Sequence, residues 1–284
     1  MQTVHDLEAL RAVIREWRRT GFRIALVPTM GNLHAGHLSL LAHARATGCK
    51  TVVSIFVNPI QFGKGEDYAR YPSTLEQDRA KLSANGLDLL FAPDLGQLYP
   101  GGMEHDTRVT VPELSHILCG EFRPGPFSGV ATVVSKLFIN VQPDYAIFGE
   151  KDYQQLLVIR RMVRDLCMPV EIVAVPILRE EDGLAMSSRN QYLTEAERKQ
   201  APLLYRTLQE SARRLQQGSA EFAAVEAHAL QALEAGGFRP EYFSIRRRED
   251  LGKATPGESE LIILVAAWLG SARLIDNLQL ELVK

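Results

Sequence analysis

The sequence predicts an α/β protein built on a doubly wound parallel sheet, with a smaller α+β domain after it. The first observation is an alternation of short apolar runs, at 23–27, 51–57, 88–91, 145–148 and 170–175, with segments of helical periodicity. Strands that alternate with helices in this way are typical of βαβ units and therefore of a parallel sheet. The second observation is that the run 51–57 is β-branched and apolar, as expected of a strand buried on both faces.

Helices are expected in the intervals between these strands, since apolar residues recur there every three or four positions. The expected helices lie at 7–21, 38–46, 73–85, 127–140 and 153–166. Pro28 is expected to end the first strand. The stretch 93–126 is rich in Gly and Pro, and it predicts loops with one short helix near 112–118.

The composition changes after Pro176, which predicts one domain at 1–176 and a second at 177–284. In the second domain, Thr194 and Glu197 have the spacing of a capping box that opens a helix, and two helices follow as far as Gly236. Three strands are expected at the end, at 241–246, 260–269 and 271–275. The last two are joined by a predicted hairpin turn at Gly270–Ser271.

Composition limits the classes of partner. The net charge of the 284 residues is −2, so there is no general basic surface of the kind that binds nucleic acid. Cys49, Cys119 and Cys167 are widely spaced without a C-x-x-C pair, which argues against structural zinc and favours a reducing compartment. No run of eighteen apolar residues and no leader pattern is present. We expect a cytoplasmic protein that does not associate with membranes or nucleic acid.

The stretch from Pro28 to His37 joins the first predicted strand to the next helix. His34 and His37 lie three residues apart and would face the same side of the helix start. A helix start carries unpaired N–H groups and roughly half a positive charge, so it favours phosphate. The spacing His34-x-Gly36-His37 matches the H-x-G-H signature of nucleotidyl-transferring α/β enzymes, so the pair could stabilise charge that develops on a polyphosphate. The alternative is that His34 caps a turn and His37 lies on the helix surface.

Two more predicted strand ends, at 58–63 and 149–155, carry polar residues. Ligands of doubly wound sheets bind beyond the carboxyl ends of the strands, so these segments are expected near the histidines. Lys151 could bind phosphate as a point charge, although it could equally be a surface charge. Gln61 and Gln155 each offer a donor and an acceptor, which suits a small ligand with hydroxyls and a carboxylate.

The loop Met186-Ser187-Ser188-Arg189 follows the expected domain boundary. Two hydroxyls and a guanidinium could bracket nucleotide phosphates, and the loop could close over them and exclude water. The sequence shows no dedicated carboxylate cluster, so no metal ligands are predicted on the protein. Mg²⁺ is expected to arrive on the nucleotide.

In combination, four motifs resemble the pantoate–β-alanine ligase (pantothenate synthetase) family: Pro28–His37, Asn58–Phe62, Gly149–Gln155 and Met186–Arg189. They occur in order and with matching spacing over nearly the whole chain. The resemblance implies a Rossmann-like sheet of the nucleotidyltransferase type, with ATP and pantoate bound by 1–176 and a lid formed by 177–284. It also implies a homodimer built through the larger domain, for which the region 51–57 is a compatible contact.

The reaction that the resemblance implies has two steps and belongs to coenzyme A (vitamin B5) biosynthesis. ATP and (R)-pantoate first form an enzyme-bound pantoyl adenylate and release pyrophosphate. The amine of β-alanine then attacks the activated carbonyl and gives pantothenate and AMP. No covalent enzyme intermediate is expected.

The resemblance further implies roles for individual residues. His37 is the implied proton donor, and His34, Lys151 and Arg189 complete the implied catalytic set. The implied ATP-binding residues are Met30, Gly31, Asn32, Leu33, His34, Ala35, Gly36, His37, Gly149, Glu150, Lys151, Asp152, Leu178, Met186, Ser187, Ser188 and Arg189. The implied substrate-binding residues are Gln61 and Gln155 for pantoate, with Gln61 also near β-alanine, Pro28, Met30, Val133 and Val134 around the methyl groups, and Arg123.

Three other classes share parts of this pattern. A nucleotidylyltransferase would use the same histidine signature but would lack the step with an amine. A tRNA-charging enzyme is disfavoured because the chain is small and lacks a basic RNA-binding domain. A regulator with a decayed site is disfavoured because His34, His37, Lys151 and Arg189 are all present.

Overall fold

The computed structural model describes residues 1–63, 68, 71, 74–218 and 221–282. These form two compact units. The first comprises Met1–Glu150 and Gln155–Pro176, and the second comprises Lys151–Gln154 and Ile177–Lys284. The boundary after Pro176 coincides with the change in composition, whereas the short segment Lys151–Gln154 groups with the second unit although it lies far earlier in the sequence.

The first unit is built on a six-stranded sheet whose strand pairs are all parallel. The strands are β1 (Gln2–Val4), β2 (Ile24–Thr29), β3 (Lys50–Ile55), β4 (Leu89–Phe91), β5 (Tyr145–Gly149) and β6 (Glu171–Val175), in the order β1-β4-β3-β2-β5-β6. The predicted doubly wound parallel sheet is therefore confirmed. Strand β1 was not predicted, because three residues are too few for an apolar periodicity to show.

Helices connect these strands: α1 (Leu7–Arg19), α2 (Ala35–Ala46), α3 (Leu75–Ala84), α4 (Leu95–Leu98), α5 (Cys119–Phe122), α6 (Pro126–Val141) and α7 (Tyr153–Asp165). The long ones occur where helical periodicity predicts them. Ser73, where the third helix was expected to begin, lies outside the described residues. Helix α6 is buried along most of its length, which explains why its sequence is apolar on several faces.

The central strand β2 does not end at Pro28, as the sequence predicted, but continues to Thr29. The backbone carbonyls of Arg23 and Thr29 accept hydrogen bonds from the N–H groups of Lys50 and Phe56, so the odd-numbered residues of β2 bond to β3. The backbone groups of the even-numbered residues, which include Pro28, therefore point towards β5. The pairing of β2 with β5 covers only Ala25 and Leu26. The missing N–H of proline therefore costs no ladder hydrogen bond at this position.

The predicted helix near 112–118 is also wrong, since this segment forms successive turns. Glu113 has a φ of 64° and Leu118 a φ of 50°, both in the left-handed region that no right-handed helix contains. The short helices of this stretch are α4 and α5, on either side of the turns.

The second unit packs three helices, α8 (Glu195–Gln200), α9 (Leu203–Gln216) and α10 (Phe222–Ala235), with an antiparallel sheet. The sheet contains β7 (Arg239–Arg247), β8 (Glu260–Leu269) and β9 (Ala272–Glu281), in that order. The predicted capping box is present, since Thr194 accepts from the N–H of Glu197 while Glu197 accepts from the N–H of Thr194. Strand β9 extends six residues beyond the predicted end at Ile275.

Gly129 lets helix α6 lie directly against the chain that follows β3. A Cβ at this position would come within 2.8 Å of the backbone of Ile60 and Gln61. The carbonyl of Gly129 also accepts a hydrogen bond from Nδ2 of Asn58, at 3.0 Å. This close approach explains a glycine near the start of a long helix, where its low helix propensity would otherwise be a cost.

We predict that Gly129→Ala destabilises the protein. Alanine gains about 1 kcal/mol of helix propensity, but overpacking against rigid backbone atoms costs about 1–3 kcal/mol and displaces Gln61. Thermal denaturation should show a lower Tm. Gly101→Ala is the control, because nothing lies within 4 Å of a Cβ there. Equal Tm values for the two variants would contradict the prediction.

Candidate functional site

Helix α2 begins with the two histidines, and each caps the helix through its Nδ1 atom. His34 is the N-cap, and its Nδ1 accepts a bond of 3.1 Å from the N–H of Gly36. Nδ1 of His37 accepts a bond of 3.3 Å from the N–H of His34. The ring centroids lie 4.1 Å apart. A neutral imidazole that accepts at Nδ1 carries its proton on Nε2, so this pattern makes each Nε2 a hydrogen-bond donor.

The turn before this helix is fixed by Asp78, a residue that the sequence reasoning did not single out. Its carboxylate, from α3, is fully buried and accepts the N–H groups of Asn32 and Leu33, at 2.8 and 2.9 Å. The hydroxyl of Thr74 and the ammonium of Lys81 lie at 3.0 and 3.9 Å from it. The only signal in the sequence was an Asp in an otherwise ordinary helix turn, and Asp is a common residue there.

Gly31 is required for the same turn. Its φ is 81°, and an added Cβ would come within 3.0 Å of Ile55 and 3.2 Å of the Asp78 carboxylate. Asn32 also has a left-handed φ, 51°. The chain therefore reverses tightly between β2 and α2, so the N-terminus of α2 lies at the carboxyl-end edge of the sheet.

The carboxyl ends of β2, β3 and β5 lie side by side, because β2 is paired with β3 on one side and β5 on the other. The order of the strands reverses at β2, which is where ligands of such sheets bind. The histidine turn follows β2, residues 58–61 follow β3, and Gly149 ends β5 with Glu150 directly after it. The sheet therefore brings together the three strand ends that the sequence singled out. Gln155, in the first turn of α7, is half-buried.

Gln61 is held in place by a buried network after β3. Asn58, which is 1% exposed, caps the short 3₁₀ turn that contains Gln61 and accepts a bond of 2.8 Å from the hydroxyl of Tyr99. Burial and then the charge of Asp106 raise the pKa of Tyr99 to about 12, so its hydroxyl stays a donor. The amide of Gln61 lies 2.7 Å from the sulfur of Met30, and both side chains are half-buried.

The other expected walls of the pantoate site differ in their surroundings. Val133 and Val134 lie on α6 and are only 7% and 3% exposed, so both belong to the packed interior of the first unit. Pro28 is half-buried at the end of β2. Arg123 is the C-cap of α5, and its N–H donates to the carbonyl of Cys119. The role of Arg123 in binding substrate stays a prediction.

The remaining expected phosphate ligands lie in the second unit. Lys151 is in a 3₁₀ turn that runs directly into α7, and its ammonium is 4.0 Å from the carboxylate of Asp152. The carbonyl of Lys151 accepts a bond of 3.0 Å from Nδ2 of Asn277 on β9. Ser187 caps a second 3₁₀ turn by accepting from the N–H of Arg189, at 3.2 Å.

Leu178 and Met186 both precede that turn in the chain and are hydrogen-bonded to each other. The N–H of Met186 donates to the carbonyl of Leu178, at 3.0 Å, and Arg179 forms an antiparallel bridge with Ala185. Leu178 is exposed, whereas Met186, Ser187, Ser188 and Arg189 are half-buried. The predicted loop is therefore a hairpin-like segment followed by a short helical turn.

The region 51–57, which is the predicted dimer contact, is buried in its first part and half-buried at Ile55 and Val57, so a contact there stays a prediction for those two residues alone. Thr51, Val52, Val53 and Ser54 are at most 1% exposed, because β3 lies between β2 and β4 and is covered on both faces. These side chains cannot contact a second protomer while the sheet is intact.

Two features are absent from the described part of the chain. Among those residues, no three His, Cys, Asp or Glu side chains cluster as they would around a metal ion. No described helix is long and apolar enough to cross a membrane.

A parallel sheet that reverses its strand order beside an H-x-G-H turn defines a nucleotide-binding α/β protein of the nucleotidyltransferase class. Comparison with known proteins gives the family. The family described as pantoate-beta-alanine ligase matches residues 2–279. The chain belongs to this family, as the resemblance in the sequence predicted.

The similarity to individual relatives extends over the whole chain. A pantothenate synthetase of Hahella chejuensis is 55% identical over 282 residues, which are 99% of this chain and 100% of the relative. A crystal structure of pantothenate synthetase from Thermus thermophilus is 49% identical, with a TM-score of 0.90 over 98% of this chain and 99% of that one. A pantoate-beta-alanine ligase from Francisella tularensis, complexed with beta-gamma ATP and beta-alanine, is 32% identical, with a TM-score of 0.83 over 98% and 97%.

We predict that Asp78→Asn destabilises the protein and lowers its activity, since an amide offers only one oxygen to the N–H groups of Asn32 and Leu33. Losing a buried bond to a charged acceptor costs about 2–3 kcal/mol, which thermal or urea denaturation can measure. The matched control is Asp94→Asn at the N-cap of α4, where Asn caps as well as Asp. Asp78 would have no such role if both variants unfolded at the wild-type temperature.

Proposed function

We propose that this chain condenses pantoate with β-alanine at the expense of ATP, through a pantoyl adenylate, and releases pyrophosphate and AMP. The observation that carries the proposal is the start of α2, where two mutually capped imidazoles stand at the strand end that adjoins those of β3 and β5. Membership of the family and the ATP and β-alanine complex of the Francisella tularensis relative support it.

In the first step, a carboxylate oxygen of pantoate attacks the α-phosphorus of ATP. The bond from that phosphorus to the bridging oxygen breaks, and pyrophosphate leaves with the electron pair. Negative charge therefore grows on the leaving oxygens, and donors that are already aimed at them stabilise the transition state more than the ground state.

His34 and His37 are suited to this task. Because each Nδ1 is engaged as an acceptor within the cap, the remaining proton of each neutral ring is on Nε2, where it can be donated to a phosphate oxygen. The helix dipole of α2 adds a fixed partial positive charge at the same end. We propose that Nε2–H of His37 donates the main hydrogen bond to the departing pyrophosphate, with His34 as a second hydrogen-bond donor.

The rest of the ATP site is proposed from the same pattern. Met30–Leu33 and Ala35–Gly36 are proposed to supply backbone around the nucleotide, together with Gly149 at the end of β5 and Glu150 after it. From the second unit, we propose Lys151 and Arg189 as cationic ligands of the phosphates. Asp152, Leu178, Met186, Ser187 and Ser188 are proposed contacts to the same nucleotide.

In the second step, the neutral amine of β-alanine attacks the acyl carbonyl of the adenylate. The bond from the carbonyl carbon to the phosphate oxygen breaks, AMP leaves, and the amine loses a proton. Gln61 is proposed to orient pantoate and to lie near β-alanine, and Gln155 is proposed to bind pantoate. Met30, Pro28, Val133 and Val134 would surround its two methyl groups, and Arg123 is a further proposed contact.

Mg²⁺ is proposed to enter with ATP, because it retains water and prefers phosphate oxygens to an all-protein cage. It would neutralise part of the triphosphate charge. We also propose a homodimer, a lid role for the second domain and a cytoplasmic location, as the sequence predicted.

Exchange of labelled pyrophosphate into ATP tests the proposal, since it reports reversible adenylate formation. We expect exchange that requires pantoate and does not require β-alanine. Addition of β-alanine should then convert the adenylate to free AMP and pantothenate. Exchange without pantoate would contradict the proposal, and a stable adenylate that β-alanine does not discharge would favour a nucleotidylyltransferase.

We predict that His37→Ala lowers the rate of adenylate formation about a hundred- to a thousandfold, the usual effect of losing one such donor. His37→Gln separates catalysis from capping, because glutamine at this position of a capping box still accepts from the N-cap N–H. The His37→Gln enzyme should keep the wild-type Tm but form the adenylate as slowly as His37→Ala. His43→Ala, on the exposed side of α2, is the control and should retain both. A His37→Gln enzyme with wild-type single-turnover adenylation would refute the role.

A further inference from the structure

A connected polar network in the second unit has no part in the chemistry above. Arg179 binds the carboxylate of Asp276 through both terminal nitrogens, at 2.7 and 2.9 Å. The same carboxylate accepts the N–H of Asn277, at 2.8 Å, and the carbonyl of Asn277 accepts from Arg179, at 3.3 Å. The amide of Asn277 then donates to the carbonyl of Lys151, at 3.0 Å.

This network is buried, which makes its geometry demanding. Asp276 and Asn277 are each 3% exposed, and the guanidinium of Arg179 lies 3.6 Å from the centroid of the Tyr205 ring. Burial raises the pKa of Asp276, while Arg179, the N–H of Asn277 and the charge of Lys151 act in the opposite direction. A buried ion pair contributes little net stability compared with apolar residues of the same volume. Its effect here is to hold Arg179 and Asp276 in one relative orientation.

The network connects two segments of the proposed phosphate site to one strand. Strand β9 is paired with β8 along its full length, so Asp276 and Asn277 stand on a rigid element. Asn277 ties Lys151 to this strand through a backbone carbonyl, which fixes the base of the lysine side chain. Arg179 ties the hairpin that runs into Met186 to the same strand, through its bridge with Ala185 and its bond of 3.0 Å to the carbonyl of Gly183.

We propose that Asn277, supported by the Arg179–Asp276 pair, is a positioning residue that sets where Lys151 presents its ammonium to the triphosphate. This proposal rests on the proposed function, because only there is Lys151 a ligand of the triphosphate. Asn277 would touch neither substrate nor nucleotide. A misplacement of 1 Å in such a group can cost about a hundredfold in rate.

The test is a double-mutant cycle on pyrophosphate exchange, with wild type, Asn277→Ala, Lys151→Ala and the double variant. We expect Asn277→Ala to slow exchange about ten- to a hundredfold, with the KM for pantoate unchanged. In the Lys151→Ala background, the further substitution of Asn277 should slow exchange by less than about twofold. If the double variant were slowed by the product of the two single effects, the residues would act independently and the proposal would be overturned.

Asn140→Ala is the matched control. Asn140 is also a buried asparagine, 8% exposed, whose Nδ2 donates to a backbone carbonyl, that of Lys136. It lies in the last turn of α6 and has no proposed contact with ATP. We expect its substitution to lower the Tm as Asn277→Ala does while leaving exchange near the wild-type rate. If Asn277→Ala does not fold, Asn277→Ser removes the same amide with a smaller loss of polarity and takes its place.

A second readout does not depend on catalysis. After reductive ¹³C-methylation of the lysines, the signal of Lys151 is identified by its loss in Lys151→Ala. In Asn277→Ala this signal should move towards the position of exposed lysines, while that of Lys50 stays fixed. An unmoved Lys151 signal would overturn the positioning role. If the Lys151 signal moves in Asn277→Ala but the wild-type protein shows no pantoate-dependent exchange, the contact between Asn277 and Lys151 is supported and the proposed function is overturned instead.

Discussion

The buried carboxylate of Asp78 is the constraint on which the proposed phosphate site of the first unit depends. It accepts two successive backbone N–H groups, those of Asn32 and Leu33, and so fixes the turn from which α2 starts. Only with that turn fixed can the side chain of His34 cap the helix and the side chain of His37 accept the N–H of His34. Stabilisation of developing charge depends on donors that need no reorientation when the reaction occurs. A loop free to rotate would lose that advantage even with the same two histidines.

The neighbouring strand end is organised on the same principle. Asn58, buried like Asp78, bonds to the hydroxyl of Tyr99 and the carbonyl of Gly129, and it caps the turn that carries Gln61. In both places a polar side chain satisfies backbone groups that would otherwise be left without partners in the interior. The residues proposed to meet substrates are thereby placed by residues that do not meet them.

The sequence was informative where the cause of structure is local. Alternating apolar runs predicted the parallel sheet, and the spacing of His34 and His37 placed both at the start of α2. It was misleading at Pro28, because whether a strand tolerates proline depends on which neighbour the missing N–H would face. It was also misleading at 112–118, where left-handed residues interrupt an apparently helical segment.

The supporting residues could not be predicted from the sequence for a different reason. Asp78 lies 45 residues from its partner Leu33, and Asn277 lies 126 residues from Lys151. One sequence does not reveal that such distant positions are in contact. The family resemblance supplied the residues that would touch ligands, but the residues that hold them in place became visible only in the folded chain.

The proposed function requires the chain to activate a carboxylate by adenylation and to keep the activated acid bound until an amine arrives. A rapid-quench single turnover with ATP and pantoate, in the absence of β-alanine, measures this step on its own. We expect pyrophosphate and pantoyl adenylate in equal amounts, close to one of each per active site, with no free AMP until β-alanine is added. Formation of pyrophosphate without an acyl adenylate, or only after β-alanine is supplied, would contradict it.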